Sequence, residues 1–109
     1  MKLSVEATIA PEKITNYLLQ WRPENDKSGF LARTGYDSEN WEQLANDLRR
    51  QILPREARLT ERTRYGDVYE IRGILTGPLG VPLRVVTIWM IEHESQQTKF
   101  ITLFPDKEY

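Results

Sequence analysis

The sequence predicts an α+β fold: two N-terminal helices packed on one face of a four-stranded antiparallel sheet, with room for a short extra strand at the N-terminus. Three observations predict it. Two segments in the first half place apolar residues at helical spacing, Ile14, Tyr17, Leu18 and Trp21, then Trp41, Leu44, Ala45, Leu48 and Ile52. From Ala57 onward the apolar residues instead alternate, the period of a strand. Connections between those strands are too short for crossovers, so the strands form a meander.

Each element has a local cause. Leu3 to Ile9 alternates weakly and reads as a short edge strand. Pro11 sits where a first helical turn tolerates proline, and Pro23 ends that helix. Arg22 to Gly29 is polar and turn-rich, a loop. Phe30 and Leu31 anchor a short helical turn before Gly35. Asp37 or Ser38 caps the second long helix by accepting from unpaired backbone N–H groups, and Pro54 stops it. Strands follow at Ala57–Tyr65, Asp67–Thr76, Pro82–Glu92 and Thr98–Phe104. Tyr65-Gly66-Asp67 permits only a tight hairpin, and Gly77-Pro78-Leu79-Gly80 a longer turn. The third strand is apolar in both registers over most of its length, which places it centrally. Trp21 and Trp41, on the helix stripes, are expected in the core.

Composition narrows the classes. A chain of 109 residues, 39% hydrophobic, suits a single domain spanning 1–109. No apolar run approaches the roughly 20 residues of a membrane helix, and Met1–Glu6 lacks the apolar stretch of a secretory signal. The absence of cysteine is compatible with a reducing cytoplasm. One histidine makes a His-based metal site improbable, and no carboxylates show metal-ligand spacing, so no metal or cofactor is expected. Net charge is −1, yet Arg55, Arg58, Arg62 and Arg64 stand close together against only Glu56 and Glu61.

Alternation divides the strand region into two sets. Leu59, Tyr69, Ile71, Leu75, Val86, Ile88, Met90, Ile101 and Leu103 form the expected core face. Arg58, Arg62, Arg64, Glu70, Arg72, Thr87, Trp89, Phe100 and Thr102 form the expected outer face. Cations, a carboxylate, hydroxyls and aromatics together suit a surface that holds a polyanion.

Several segments, taken in order, resemble a known family. They are Asp26-Lys27-Ser28-Gly29-Phe30, Gly35, Trp41-Glu42-Gln43-Leu44, Tyr65 to Ile71, Gly77-Pro78, Thr87-Ile88-Trp89 and Ile101 to Pro105. The family is a small bacterial one of unknown function, found as free-standing proteins and at the C-termini of polymorphic toxins. Its layout is similar to the barnase/EndoU/colicin/RelE group of metal-independent ribonucleases. That resemblance, and not the periodicity, implies a toxin-like ribonuclease domain. The histidine pair used by many such enzymes is missing, because His93 stands alone in a turn.

Metal-free RNA cleavage needs a base for the 2′-OH proton, an acid for the leaving oxygen, and groups that stabilise the phosphorane charge. Glu70 is the candidate base, with Lys27 and Thr102 as the other candidate catalytic residues. Thr87 is a further hydroxyl candidate, although threonine also simply favours strands. Arg58, Arg62, Arg64 and Arg72 are candidate phosphate ligands, and Trp89 and Phe100 candidate stacking platforms for bases. The bland alternatives are cross-strand ion pairing for Glu70, edge protection for the arginines and core filling for the aromatics. A competing function is a non-catalytic module, one half of a small operon-encoded, toxin–antitoxin-like pair. Its partner would be a small cognate protein instead of RNA, and neither reading involves a membrane.

Overall fold

A computed structural model describes residues 1–21 and 27–107 of the chain. Helix α1 begins at Pro11–Lys13 and runs on into a wide π-helical turn, Ile14–Leu18. Its last bond is from Leu19 N–H to the Ile14 carbonyl, 2.9 Å. Helix α2 is short, Ser28–Ala32. Helix α3, Trp41–Asp47, is preceded by a 3₁₀ turn, Ser38–Asn40, and continues into a second π-helical turn, Leu48–Ile52. Strands β1 (Arg58–Arg62), β2 (Gly66–Thr76), β3 (Pro82–Glu92) and β4 (Thr98–Pro105) form one antiparallel sheet in the order β1-β2-β3-β4. The fold is α+β.

Asp37 starts the third helical segment. Its Oδ1 accepts from Glu39 N–H at 2.9 Å and Asn40 N–H at 3.2 Å, and the side-chain Oδ1 of Asn40 accepts from Asp37 N–H at 2.8 Å. Two groups that would otherwise be unpaired are satisfied reciprocally. Leu44, Leu48 and Ile52, at successive i, i+4 positions, are fully buried. They join Ile14, Leu18 and Leu31 in one cluster with Tyr69, Ile71, Leu75, Leu83, Val85 and Leu103 of the sheet. Each fully buried aliphatic side chain contributes about 1.5–3 kcal/mol.

A carboxylate is built into this interior. Asp47 is 1% exposed; Tyr36 Oη donates to its Oδ2 at 2.6 Å and Arg50 Nη2 to its Oδ1 at 2.5 Å. A buried carboxylate without partners would be far more costly. Burial first, then the bond to Asp47, push the Tyr36 phenol well above its ordinary range.

Four expectations need correction. The N-terminal strand reduces to a single parallel bridge, Thr8 opposite Lys99. Ser4 Oγ accepts from Glu6 N–H at 3.1 Å, and Ala7 N–H bonds the Ser4 carbonyl, a local turn that competes with strand pairing. Helix α1 ends at Leu18, so Trp21 lies beyond the buried stripe and is 70% exposed. Trp41 is only partly buried, packed against the cluster from its margin. The first strand stops at Arg62 because Thr63 Oγ1 accepts from the N–H groups of Tyr65 and Gly66, closing the turn early. The expected stop at Pro23 and most of the polar loop, 22–26, lie outside the described residues.

Candidate functional site: a lysine, a tyrosine and a threonine beside an open sheet face

Register decides which side chains share a face. Opposite residues in the ladder point the same way. Tyr69–Trp89, Ile71–Thr87 and Leu75–Leu83 are opposed, as are Thr87–Leu103 and Trp89–Phe100. This is the core face. Glu70–Ile88–Thr102 and Arg72–Val86–Phe104 form two adjacent rows on the other, outer face.

The expected phase was therefore correct on β2 and wrong on β3. Trp89 is 0% and Phe100 2% exposed, with ring centroids 5.2 Å apart at 71°. Edge-to-face pairs of this kind stabilise a core. Trp89 Nε1 donates to Thr87 Oγ1 at 2.7 Å, and Thr87 Oγ1 donates to the Ile71 carbonyl at 2.9 Å. Trp89, Phe100 and Thr87 are interior residues, and no base can stack on these rings as they stand. Phe100 turns inward because the β3–β4 register shifts by one residue at Ile101.

A second bulge breaks the arginine stripe. The β1–β2 register shifts at Thr60, so Arg58 stands opposite Glu70 but Arg62 stands opposite Asp67, on the same face as Tyr69. Arg64 lies beyond the strand, its guanidinium 5.3 Å from the Tyr65 ring. Of the three, only Arg58 shares the outer face with Glu70 and Arg72. Glu70 Oε1 accepts from Arg72 Nε at 3.3 Å, and Arg58 Nε is 3.7 Å away. Arg72 Nη1 also donates to Asp106 Oδ1 at 2.8 Å. His93 pairs with Asp67 at 3.0 Å, away from this group.

Lys27 and Thr102, 75 residues apart, meet at the edge of β4. Lys27 Nζ donates to Thr102 Oγ1 and to Tyr17 Oη, both at 2.9 Å, and the two hydroxyl oxygens are 3.4 Å apart. Each residue is held by a buried neighbour. Leu18 follows Tyr17, Leu103 follows Thr102, and Leu31 anchors the helical turn that begins beside Lys27; all three are 0% exposed. The hydrogen bond from Lys27 acidifies the Tyr17 phenol, and the bond from Thr102 adds to this, while partial burial opposes it. The trio thus combines a cation, a phenol with a lowered pKa and a hydroxyl, beside the row that carries Glu70. Tyr17 was legible in the sequence only as part of a core stripe, although a tyrosine on such a stripe carries a polar tip that seeks a partner.

Among the described residues, no three His, Cys, Asp or Glu side chains converge as metal ligands would. No helix among them is long and apolar enough to cross a membrane. A family model described as a domain of unknown function, DUF6883, matches residues 3–107. The chain belongs to this family. The DUF6883 description names no reaction, ligand or partner. No curated protein and no solved structure matches the chain.

Proposed function

We propose that this DUF6883 domain is a toxin-like, metal-independent ribonuclease that binds RNA across the outer face of its sheet. The observation that carries the proposal is the shared row: Glu70, Ile88 and Thr102 stand side by side on three strands, with Lys27 and Tyr17 closing its β4 end. Neighbouring strands are about 4.8 Å apart, so the backbones of Glu70 and Thr102 are separated by roughly 10 Å. In this reading a phosphodiester lies between the two side chains, over Ile88.

In this reading the Glu70 carboxylate takes the proton from a ribose 2′-OH. The 2′-oxygen forms a bond to phosphorus while the bond to the 5′-oxygen breaks. Tyr17, acidified by Lys27, gives its proton to the departing 5′-oxygen. Lys27 Nζ and the Thr102 hydroxyl stabilise the charge on the phosphorane oxygens. Arg58 and Arg72 orient Glu70 and approach the flanking phosphates.

The test is incubation of transfer RNA and total RNA with micromolar protein in EDTA. Cleavage by the natural chain, lost in Lys27→Ala and Glu70→Gln variants that remain folded, is the expected result. Intact RNA would overturn the catalytic reading.

One observation favours a second function. On the same outer face Ile74 is 44% and Phe104 39% exposed, and Ile88 and Met90 are half-buried. Apolar residues interspersed with arginine suit a protein interface. The domain would then be one half of a small operon-encoded pair. A small protein that co-purifies in stoichiometric amounts, with no cleavage by the complex or the freed chain, would favour this reading.

A further inference from the structure

Past the β4 end of the proposed site, a cleft opens where α2 meets the end of the sheet. Phe30 and Arg33 line it from the helix, Pro105 and Lys107 from the end of β4, and Leu83, 2% exposed, supplies an apolar floor. It encloses about 430 Å³ and shares Pro105 and Lys107 with the depression beside Arg72 and Phe104, so it is continuous with the outer face. Two elements lead to it from the lysine–threonine contact. Lys27 immediately precedes α2, whose five residues, Ser28–Ala32, rise about 7.5 Å toward Arg33. Thr102 precedes Pro105 by three strand residues, about 10 Å.

The cleft carries cations without counter-charges. The Arg33 guanidinium lies 5.9 Å from the Phe30 ring centroid, a cation–π contact that restrains the side chain. Among the described residues, neither Arg33 nor Lys107 forms an ion pair. The Asp106 carboxylate nearby is held by Arg72 at 2.8 Å. Asp106 N–H donates to the Arg84 carbonyl at 2.9 Å, which pins the backbone just before Lys107. Two unpaired cations around an apolar floor suit a phosphate with its sugar: the guanidinium fork and the ammonium take phosphate oxygens, and the sugar covers Leu83.

We propose that this cleft is a phosphate subsite for single-stranded RNA, holding between Arg33 and Lys107 a phosphodiester about one or two nucleotides from the cleaved bond. The inference rests on the proposed RNA site and extends it along the β4 edge. An acidic peptide matches the charge but not the connection to Lys27 and Thr102.

Amide NMR titration of the full chain with 2′-O-methyl RNA, which lacks the attacking hydroxyl, tests this with a dinucleotide and a hexanucleotide. The natural chain should bind the hexanucleotide more tightly. Arg33→Ala combined with Lys107→Ala should weaken that binding roughly fivefold, the size of two partly exposed charge contacts. Its log–log salt slope should flatten by about 0.7, the value of one phosphate contact. The same double variant, altered only at exposed positions, should bind the dinucleotide as the natural chain does. Arg33→Lys with Lys107→Arg should keep most of the hexanucleotide affinity, and Lys27→Ala should weaken both probes. Lys27-dependent binding of both probes, with no effect of the double alanine variant, would overturn the subsite and leave the proposed site standing. Hexanucleotide binding that depends on Arg33 and Lys107 but not on Lys27 would support the subsite and remove the proposed chemistry. Binding of neither probe would overturn the inference and favour an acidic protein as the occupant.

Discussion

Replacing Lys27 with methionine keeps the length of the side chain and removes its charge and donors. Lys27 Nζ donates two bonds of 2.9 Å, to Tyr17 and Thr102. A hydrogen bond involving a charged group contributes about 1.5–3 kcal/mol when buried. All three side chains are only partly buried, so water replaces part of each bond, and about 0.5–1 kcal/mol per bond is the appropriate size. Lys27→Met should therefore cost about 1–2 kcal/mol. At roughly 4 °C per kcal/mol for a chain of this length, Tm falls by about 4–8 °C. The same change removes the main cause of the lowered Tyr17 pKa, so the phenol should titrate at higher pH than in the natural chain. Carbon-13 NMR of the tyrosine ζ carbons separates Tyr17 from the other four tyrosines. A double-mutant cycle with Tyr17→Phe isolates the pairwise energy. No upward movement of the Tyr17 titration, with zero coupling, would refute the assignment of these side chains to one site.

Tyr36→Phe should cost about 1.5–3 kcal/mol, because the buried Asp47 carboxylate loses a donor. The folded-state pKa of Tyr36 is raised, so its contribution is full below the unfolded phenol value near 10 and declines as pH rises above it. Denaturant titrations from about pH 8 to 11 should show this alkaline loss in the natural chain and a smaller one in Tyr36→Phe. Leu48→Ala, at a fully buried position, should cost about 2–5 kcal/mol in urea unfolding through the cavity it leaves. Arg58→Ala should flatten the salt dependence of single-stranded RNA binding by about 0.7 in log–log slope, the value of one phosphate contact. Arg62→Ala, on the other face, should leave that slope unchanged.

How much could be read in advance follows from how clearly each segment distinguishes its two faces. Strand β2 was legible because Tyr69, Ile71 and Leu75 alternate with Glu70 and Arg72, so only one phase buries the apolar set. Strand β3 offers Val86, Ile88 and Met90 against Val85, Thr87 and Trp89. Both phases are apolar, and only its pairing with β2 selects the second. The bulges at Thr60 and Ile101 each insert one residue, which a strict period of two cannot register. They account for Arg62 and for Phe100, whereas Arg64 is displaced by the turn that Thr63 closes. Helix α3 was legible through its Asp37 cap and the Leu44, Leu48, Ile52 stripe, whereas the wide end of α1 left Trp21 outside the core. Lys27, Glu70 and Thr102 were each named from sequence. Their relation to one another, and the part of Tyr17, depend on contacts across 75 to 85 residues that no local pattern encodes.

Backbone amide NMR during titration with a short RNA oligonucleotide tests the site most directly. Progressive shifts should concentrate at Lys27, Glu70, Ile88 and Thr102 and spread to Arg72 and Phe104. Shifts confined to the helical side, around Gln43, Asn46 and Arg50, or no shifts at all, would contradict an RNA site on the outer sheet face.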